Sequence, residues 1–168
     1  ALYVAANTVI KEAELDRLAE SLAWIEALGL DGVIVQDLGA AELCRRHFPR
    51  LALHASTQMA VHNGAGLRVL EDLGFRRAIL ARELTLEQIR RLREEHPGIE
   101  LEVFVHGALC YSVSGLCFAS WALTGRSGNR GECAQICRSL FRIEDDRRPA
   151  GLPAQGRLFS CRDLAADG

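Results

Sequence analysis

Four cysteines fall within 28 positions, in the run HGALCYSVSGLCFASWALTGRSGNRGECAQICR that spans residues 106–138. Their spacing is Cys110-x6-Cys117-x15-Cys133-x3-Cys137, with Cys161 downstream and Cys44 well upstream. Four thiolates around one centre are the donor set of tetrahedral zinc or of an iron–sulfur cluster. Glycines at 115, 125, 128 and 131 would let the backbone turn closely about such a centre. The other chemistries open to thiols fit less well. Disulfides belong to oxidising compartments, to which nothing in the sequence points. A nucleophile activated by His106 would account for Cys110 but not for four thiols. Burial suits Cys110 and Cys117, which have apolar neighbours, but not Cys133 and Cys137 in the polar loop RSGNRGECAQICR. Only Cys133-x3-Cys137 has the spacing of a zinc knuckle, and the ferredoxin spacings do not match, so spacing leaves zinc and cluster both open. Cys44 follows Leu43 on an amphipathic segment and reads as a small buried apolar residue.

The elements that would position these residues come first in the chain. Short apolar runs, LYVAAN, GVIVQD, LALHAS, RAILAR and LEVFVH, are too short for helices and are bounded by polar or glycine signals. Amphipathic segments lie between them: KEAELDRLAESLAWIEALG, GAAELCRRHF, MAVHNGAGLRVLEDLG and TLEQIRRLREEH. In the first, Leu15, Leu18, Leu22, Ile25 and Leu28 recur at helical spacing. Gly29 and Gly74 stand where C-terminal caps belong, and Thr85 with Gln88 fits a capping box. The alternation predicts an α/β chain of parallel (β/α) repeats, either doubly wound or an incomplete TIM-like barrel, followed by an irregular cysteine-rich segment. Residues 1–106 form the (β/α) part, 107–140 the cysteine-rich segment with a short helix near CFASWALTG, and 141–168 a polar connection. In that last stretch RLFSC reads as one more strand and RDL as the start of a further element. Both ends look cut, as in a fragment of a longer protein.

Ligand sites in such folds lie at the carboxyl ends of the strands. Those ends carry Asn7 and Thr8, Gln36 and Asp37, His54, Ser56 and Gln58, Arg82 and Glu83, and His106. His54, Glu83 and His106 are the candidate catalytic groups, and Asn7, Gln36 and Gln58 candidate substrate contacts on a polar rim. The competing readings are a structural histidine at 54, an Arg82–Glu83 ion pair, and ordinary loop polarity. Residues 1–105 hold 12 basic and 16 acidic residues, whereas residues 106–168 hold 8 and 6, and every basic residue of the latter is arginine. Arg126, Arg130 and Arg138 are therefore candidates for phosphate contacts, or for charge balance around thiolates. The net charge of −2 gives no general attraction to polyanions. No apolar run approaches the roughly 18–20 residues of a membrane span, and no secretory leader, glycine-rich phosphate loop, H-E-x-x-H or G-x-S-x-G motif is present.

ELEVFVHGALCYSVSGLCFASWALTGRSGNRGECAQICR, with its run E-x-F-x-H-G-A-L-C-x6-C followed by G-x-C-x3-C-R, resembles the signature of the collagenase-like peptidase family U32. LHASTQMAVHNG, GFRRAILARELTLEQI and LFSCRDL are similar to further segments of that family, so the resemblance covers nearly the whole chain. It implies an incomplete TIM-like barrel ahead of the cysteine segment, and a cytoplasmic protein. Members include bacterial RNA hydroxylation proteins, acting on a ribosomal cytidine or a transfer-RNA wobble uridine, and hydroxylation factors of ubiquinone biosynthesis. Several hold a [4Fe–4S] cluster, which carried over by position implies Cys110, Cys117, Cys133 and Cys137 as ligands, with zinc as the alternative metal. Relatives that lack one of the four use a cysteine elsewhere, which makes Cys161 the substitute for Cys137. SCRDL departs from the family's usual S-K-D-L at that cysteine. The implied function is iron–sulfur-dependent hydroxylation of an RNA base, with a protein partner for electron or hydroxyl donation. The alternatives are a peptidase acting on collagen-like peptides and a non-catalytic, metal-stapled scaffold.

Overall fold

A computed structural model of the chain describes residues 1–108 and 110–142 and, as short strands, 155–156 and 163–165. The apolar runs form five strands, β1 (Tyr3–Ala6), β2 (Gly32–Val35), β3 (Ala52–Ala55), β4 (Arg77–Ile79) and β5 (Glu100–Glu102). The amphipathic segments form the crossovers α1 (Leu15–Ala27), α2 (Leu38–His47), α3 (Gly64–Asp72) and α4 (Leu86–Glu95). All four strand pairings are parallel, and the order is β1-β2-β3-β4-β5. A doubly wound sheet reverses its strand order at a switch point. This one does not, so its order is that of successive (β/α) units.

Register explains the core. Val33 lies opposite Leu53 and Val35 opposite Ala55, which in turn lies opposite Ala78. With side chains alternating along each strand, these residues share one face. They pack in a single cluster with Leu22 of α1, Ala40, Ala41 and Cys44 of α2, Leu67 and Leu70 of α3, and Leu92 of α4. The opposite face turns polar beyond Ile34 of β2: His54, Arg77 and Glu100 follow one another across the next three strands. Caps set the helix starts, with Asp37, Asn63 and Thr85 each accepting a backbone N–H of the first turn. Thr85 and Gln88 form the expected capping box. Asn63 also explains why α3 begins only at Gly64, later than MAVHNGAGLRVLEDLG suggests. The preceding residues form a Ser56-capped turn that ends at Ala60, with φ of 53°.

The chain leaves the parallel sheet after Glu102. His106, expected at the end of the fifth strand, opens β6 (His106–Ala108), which pairs antiparallel with β9 (Asp163–Ala165). Gly107 takes a φ of 134°, which residues with a Cβ rarely adopt, and this allows the change of course. The short helix expected near CFASWALTG is α5 (Ala119–Thr124), and β7 (Phe141–Arg142) pairs with β8 (Gln155–Gly156). The strand expected at RLFSC, including Cys161, lies outside the described residues. No helix among the described residues is long and apolar enough to cross a membrane.

Candidate functional site

Residues 110–142 fold over the carboxyl ends of the strands as a series of tight turns, and polar side chains from those ends hold them there. Glu83, just beyond β4, accepts the backbone N–H of Ser114 at 2.8 Å and its hydroxyl at 2.6 Å. Arg82 donates to the carbonyl of Ser112 at 2.8 Å. Arg82 and Glu83, in the turn beyond β4, thus both reach the cysteine segment instead of pairing with each other. Beyond β2, Gln36 donates to the carbonyl of Asn129 at 3.0 Å, and the N–H of Val9 donates to the same oxygen at 3.0 Å. Arg130 donates to the Val9 carbonyl at 2.9 Å and forks onto both carboxylate oxygens of Glu14, at 3.0 and 2.5 Å. The Glu14 pKa falls to about 2, chiefly through its hydrogen bonds to Arg130. Asn7 donates to Gln58 at 3.0 Å, and a Cβ at Gly115, whose φ is 81°, would stand 3.1 Å from Gln58 Cγ. Only a glycine lets the cysteine segment lie this close to the rim.

This stitching brings all four sequence-predicted thiols to the wall of one cavity of about 480 Å³, lined by Cys110, Cys117, Cys133 and Cys137. Tyr111, Leu123, Ile136 and Phe141 complete an otherwise largely apolar lining. Cys110, Cys117, Cys133 and Cys137 are all free thiols, so no disulfide competes for them. Gln135 has a φ of 53° and turns its N–H to within 3.4 Å of Cys133 Sγ. N–H donation to sulfur is one of the means by which proteins tune cluster potentials. Burial raises the Cys110 pKa, but hydrogen bonds from Ser112 and Arg82 outweigh it, and the net shift is downward. The Arg82 guanidinium donates to the Ser112 carbonyl through one terminal nitrogen, while its buried Nε has no hydrogen-bond partner. Free thiols, an N–H aimed at sulfur and the Arg82 guanidinium beside them make a donor set that fits an anionic, thiolate-held inorganic group. No three His, Cys, Asp or Glu side chains among the described residues are grouped tightly enough for a single metal ion, so the thiols surround a space instead of closing on a point.

The other candidates separate. His54 is buried within β3, its ring 4.4 Å from that of Tyr3, and Nδ1 has no partner. Burial, then the nearby Arg77, lowers its pKa. It belongs to the polar face of the sheet and does not line the cysteine cavity. His106 is exposed in β6. Arg126 follows α5 in the open, and Arg138 is half-buried beside Cys137 in sequence. Sequence reasoning passed over Asn129 and His62, and set Ser114 aside as a serine with no evident base. His62 Nε2 lies 3.2 Å from Glu83 Oε2, so Ser114, Glu83 and His62 form a chain with the carboxylate in the middle. Ser114 is wholly buried and gives its proton to Glu83, not to a histidine, so the trio acts as a tether and lacks the nucleophile–base contact of a hydrolase. Nothing in the spacing of these three residues announces that contact.

Residues 1–167 match the family described as Peptidase family U32. Over 159 residues the chain is 40% identical to the 23S ribosomal RNA 5-hydroxycytidine synthase of Escherichia coli, covering 95% of this chain and 22% of that protein. It is 36% identical over 145 residues to the tRNA hydroxylation protein P of the same species, covering 86% of this chain and 32% of that protein. A collagenase of Porphyromonas gingivalis is 31% identical over 174 residues, covering 96% of this chain and 41% of that protein. The chain therefore spans between about a fifth and two fifths of the length of these relatives. A solved U32 peptidase structure aligns with a TM-score of 0.55 at 19% identity, over 64% of this chain and 47% of that one, a likeness of fold. The cysteine signature, the parallel sheet beneath it and a family match along almost every residue agree: this chain belongs to peptidase family U32.

Proposed function

We propose that this chain is the cluster-bearing part of an enzyme that hydroxylates an RNA base, with Cys110, Cys117, Cys133 and Cys137 as ligands of a [4Fe–4S] cluster. The observation that carries the reading is the meeting of those four free thiols, drawn from separate turns, on one largely apolar cavity. The relatives named for hydroxycytidine synthesis and tRNA hydroxylation support the substrate class. Bound there, the cluster would supply one-electron transfer. The chain's own groups shape the place where this happens. Glu83 and Arg82 hold the turns that carry Cys110 and Cys117, while Gln36, Asn129 and Arg130 hold those that lead to Cys133. Arg126 makes no ion pair among the described residues and is exposed to meet a phosphate. A donor protein for electrons or hydroxyl completes the scheme.

Anaerobic purification with iron and sulfide analysis tests the cofactor. About four irons and four sulfides per chain are expected, with loss of both in Cys117→Ser and in Cys133→Ser. Full iron content in both variants overturns the ligand assignment, and about one zinc per chain favours the scaffold reading instead. Mass spectrometry of ribosomal and transfer RNA from cells with and without the full-length gene tests the activity. Loss of one hydroxylated base is expected, and unchanged RNA overturns the reading.

A further inference from the structure

Asn129 stands between the cysteine cradle and the sheet. Its side-chain amide brackets the backbone of Cys117, accepting the Cys117 N–H at 3.2 Å and donating to the Cys117 carbonyl at 3.2 Å. Its own carbonyl oxygen takes two donors from the strand ends, Gln36 Nε2 and the Val9 N–H, each at 3.0 Å. One residue therefore ties a cradle cysteine to the loops after β1 and β2. An asparagine amide is the side chain suited to this. It carries a donor and an acceptor side by side, so it can pair with the N–H and the carbonyl of a single residue, as a neighbouring strand would. The neighbouring Arg130–Glu14 pair holds the loop to the turn that leads into α1.

We infer that Asn129 is a positioning residue that couples occupancy of the four-cysteine cradle to the placement of the strand-end loops at Val9 and Gln36, an inference that rests on the proposed cluster. A ligated Cys117 has a fixed backbone, so the Asn129 side chain is fixed and its carbonyl meets both donors. An unligated Cys117 is freer to move, so the bracketing pair weakens and the two donors hold their acceptor less firmly. Coupling of this kind is reciprocal. A change at Gln36, which touches no cysteine, therefore alters the mobility of Cys117.

Hydrogen exchange at the Val9 amide reads the link directly, because that N–H has Asn129 as its acceptor. In the iron-loaded chain Val9 is expected to be protected, and chelation of the iron to speed its exchange by about tenfold, within the usual range of coupling energies. Asn129→Ala keeps all four cysteines and is expected to retain its iron, while Val9 exchanges fast whether iron is present or not. Equal Val9 protection in the loaded and stripped wild-type chain overturns the coupling, as does an iron-dependent difference that survives in Asn129→Ala. A second measurement needs neither iron nor the Asn129 variant. In the iron-free chain, Gln36→Ala is expected to raise the iodoacetamide reaction rate of Cys117 by about fivefold, with Cys110 unchanged as the internal reference. An unaltered Cys117 rate overturns the coupling. Should the chain take up no iron at all, the cluster reading fails and the alkylation arm alone decides the role of Asn129.

Discussion

Glu83 accepts two hydrogen bonds from Ser114, one from the backbone and one from the hydroxyl, across 31 positions of sequence. Ser114 is wholly buried and has a φ of 43°, a conformation that costs a residue with a Cβ about 1–2 kcal/mol. The paired carboxylate offsets that cost and holds the turn between Cys110 and Cys117 against the sheet. Glu83→Ala leaves a buried N–H and a buried hydroxyl without partners, and each such group costs about 1–3 kcal/mol. The variant is expected to lower the urea midpoint and to speed alkylation of Cys117. A midpoint equal to that of the wild type would mean that water replaces the carboxylate, and would remove Glu83 from the tether.

The Glu14–Arg130 pair makes the second tether dependent on pH. Glu14 falls from its ordinary 4.5 to about 2. A depressed carboxylate contributes stability that is fully present above its unfolded value and is lost as pH falls through its folded value. The contribution is therefore complete above the ordinary carboxylate range and fades between 4.5 and about 2. Glu14→Gln removes it at every pH. The difference in urea midpoint between wild type and variant is expected to be constant near neutrality, to shrink on acidification through that window, and to weaken in high salt because the pair is exposed. A difference that grows as pH falls contradicts the assignment.

Thr85 and Gln88 exchange hydrogen bonds at the start of α4, with Gln88 accepting the Thr85 N–H at 2.8 Å and Thr85 accepting the Gln88 N–H at 3.3 Å. α4 buries only Leu92 fully, so its cap carries much of its definition. Thr85→Ala is expected to cost about 1 kcal/mol, with an unchanged denaturant slope, since the surface exposed on unfolding stays the same. Equal stability of the variant would show that water serves the freed N–H groups.

The capping box, the amphipathic helices and the five strands were legible in the sequence because each depends on neighbours a few residues apart. The convergence of Cys110, Cys117, Cys133 and Cys137 was legible for another reason: four thiols in 28 positions have few arrangements that leave them apart. The contacts that build the site lay beyond that reach. Gln36 and Asn129 are 93 positions apart, and Arg130 and Glu14 are 116 apart. Polar residues at such separations carry no periodicity, so no pattern distinguishes a tether from a solvated loop. That is why Gln36 and Arg130, taken from the sequence as substrate contacts, emerge with their polar groups engaged within the chain. It is also why His54, on the polar face of the sheet, looked like a member of the rim.

Cys44 provides the control for every thiol measurement on this protein. It is 1% exposed on α2 within the core, and burial raises its pKa to about 11. The thiolate is the reacting form, so at mildly alkaline pH this thiol is both hidden and protonated. Cys110 and Cys133 are exposed. Iodoacetamide applied to the folded, iron-free chain is expected to modify Cys110 and Cys133 and to leave Cys44 intact, which mass spectrometry of the digested peptides resolves. Cys44 should react only after denaturant unfolds the parallel sheet, at a rate that follows global unfolding. Labelling of Cys44 as fast as Cys133 under native conditions would mean that α2 opens locally. The cysteine reactivities used to follow the cradle would then need correction for that motion.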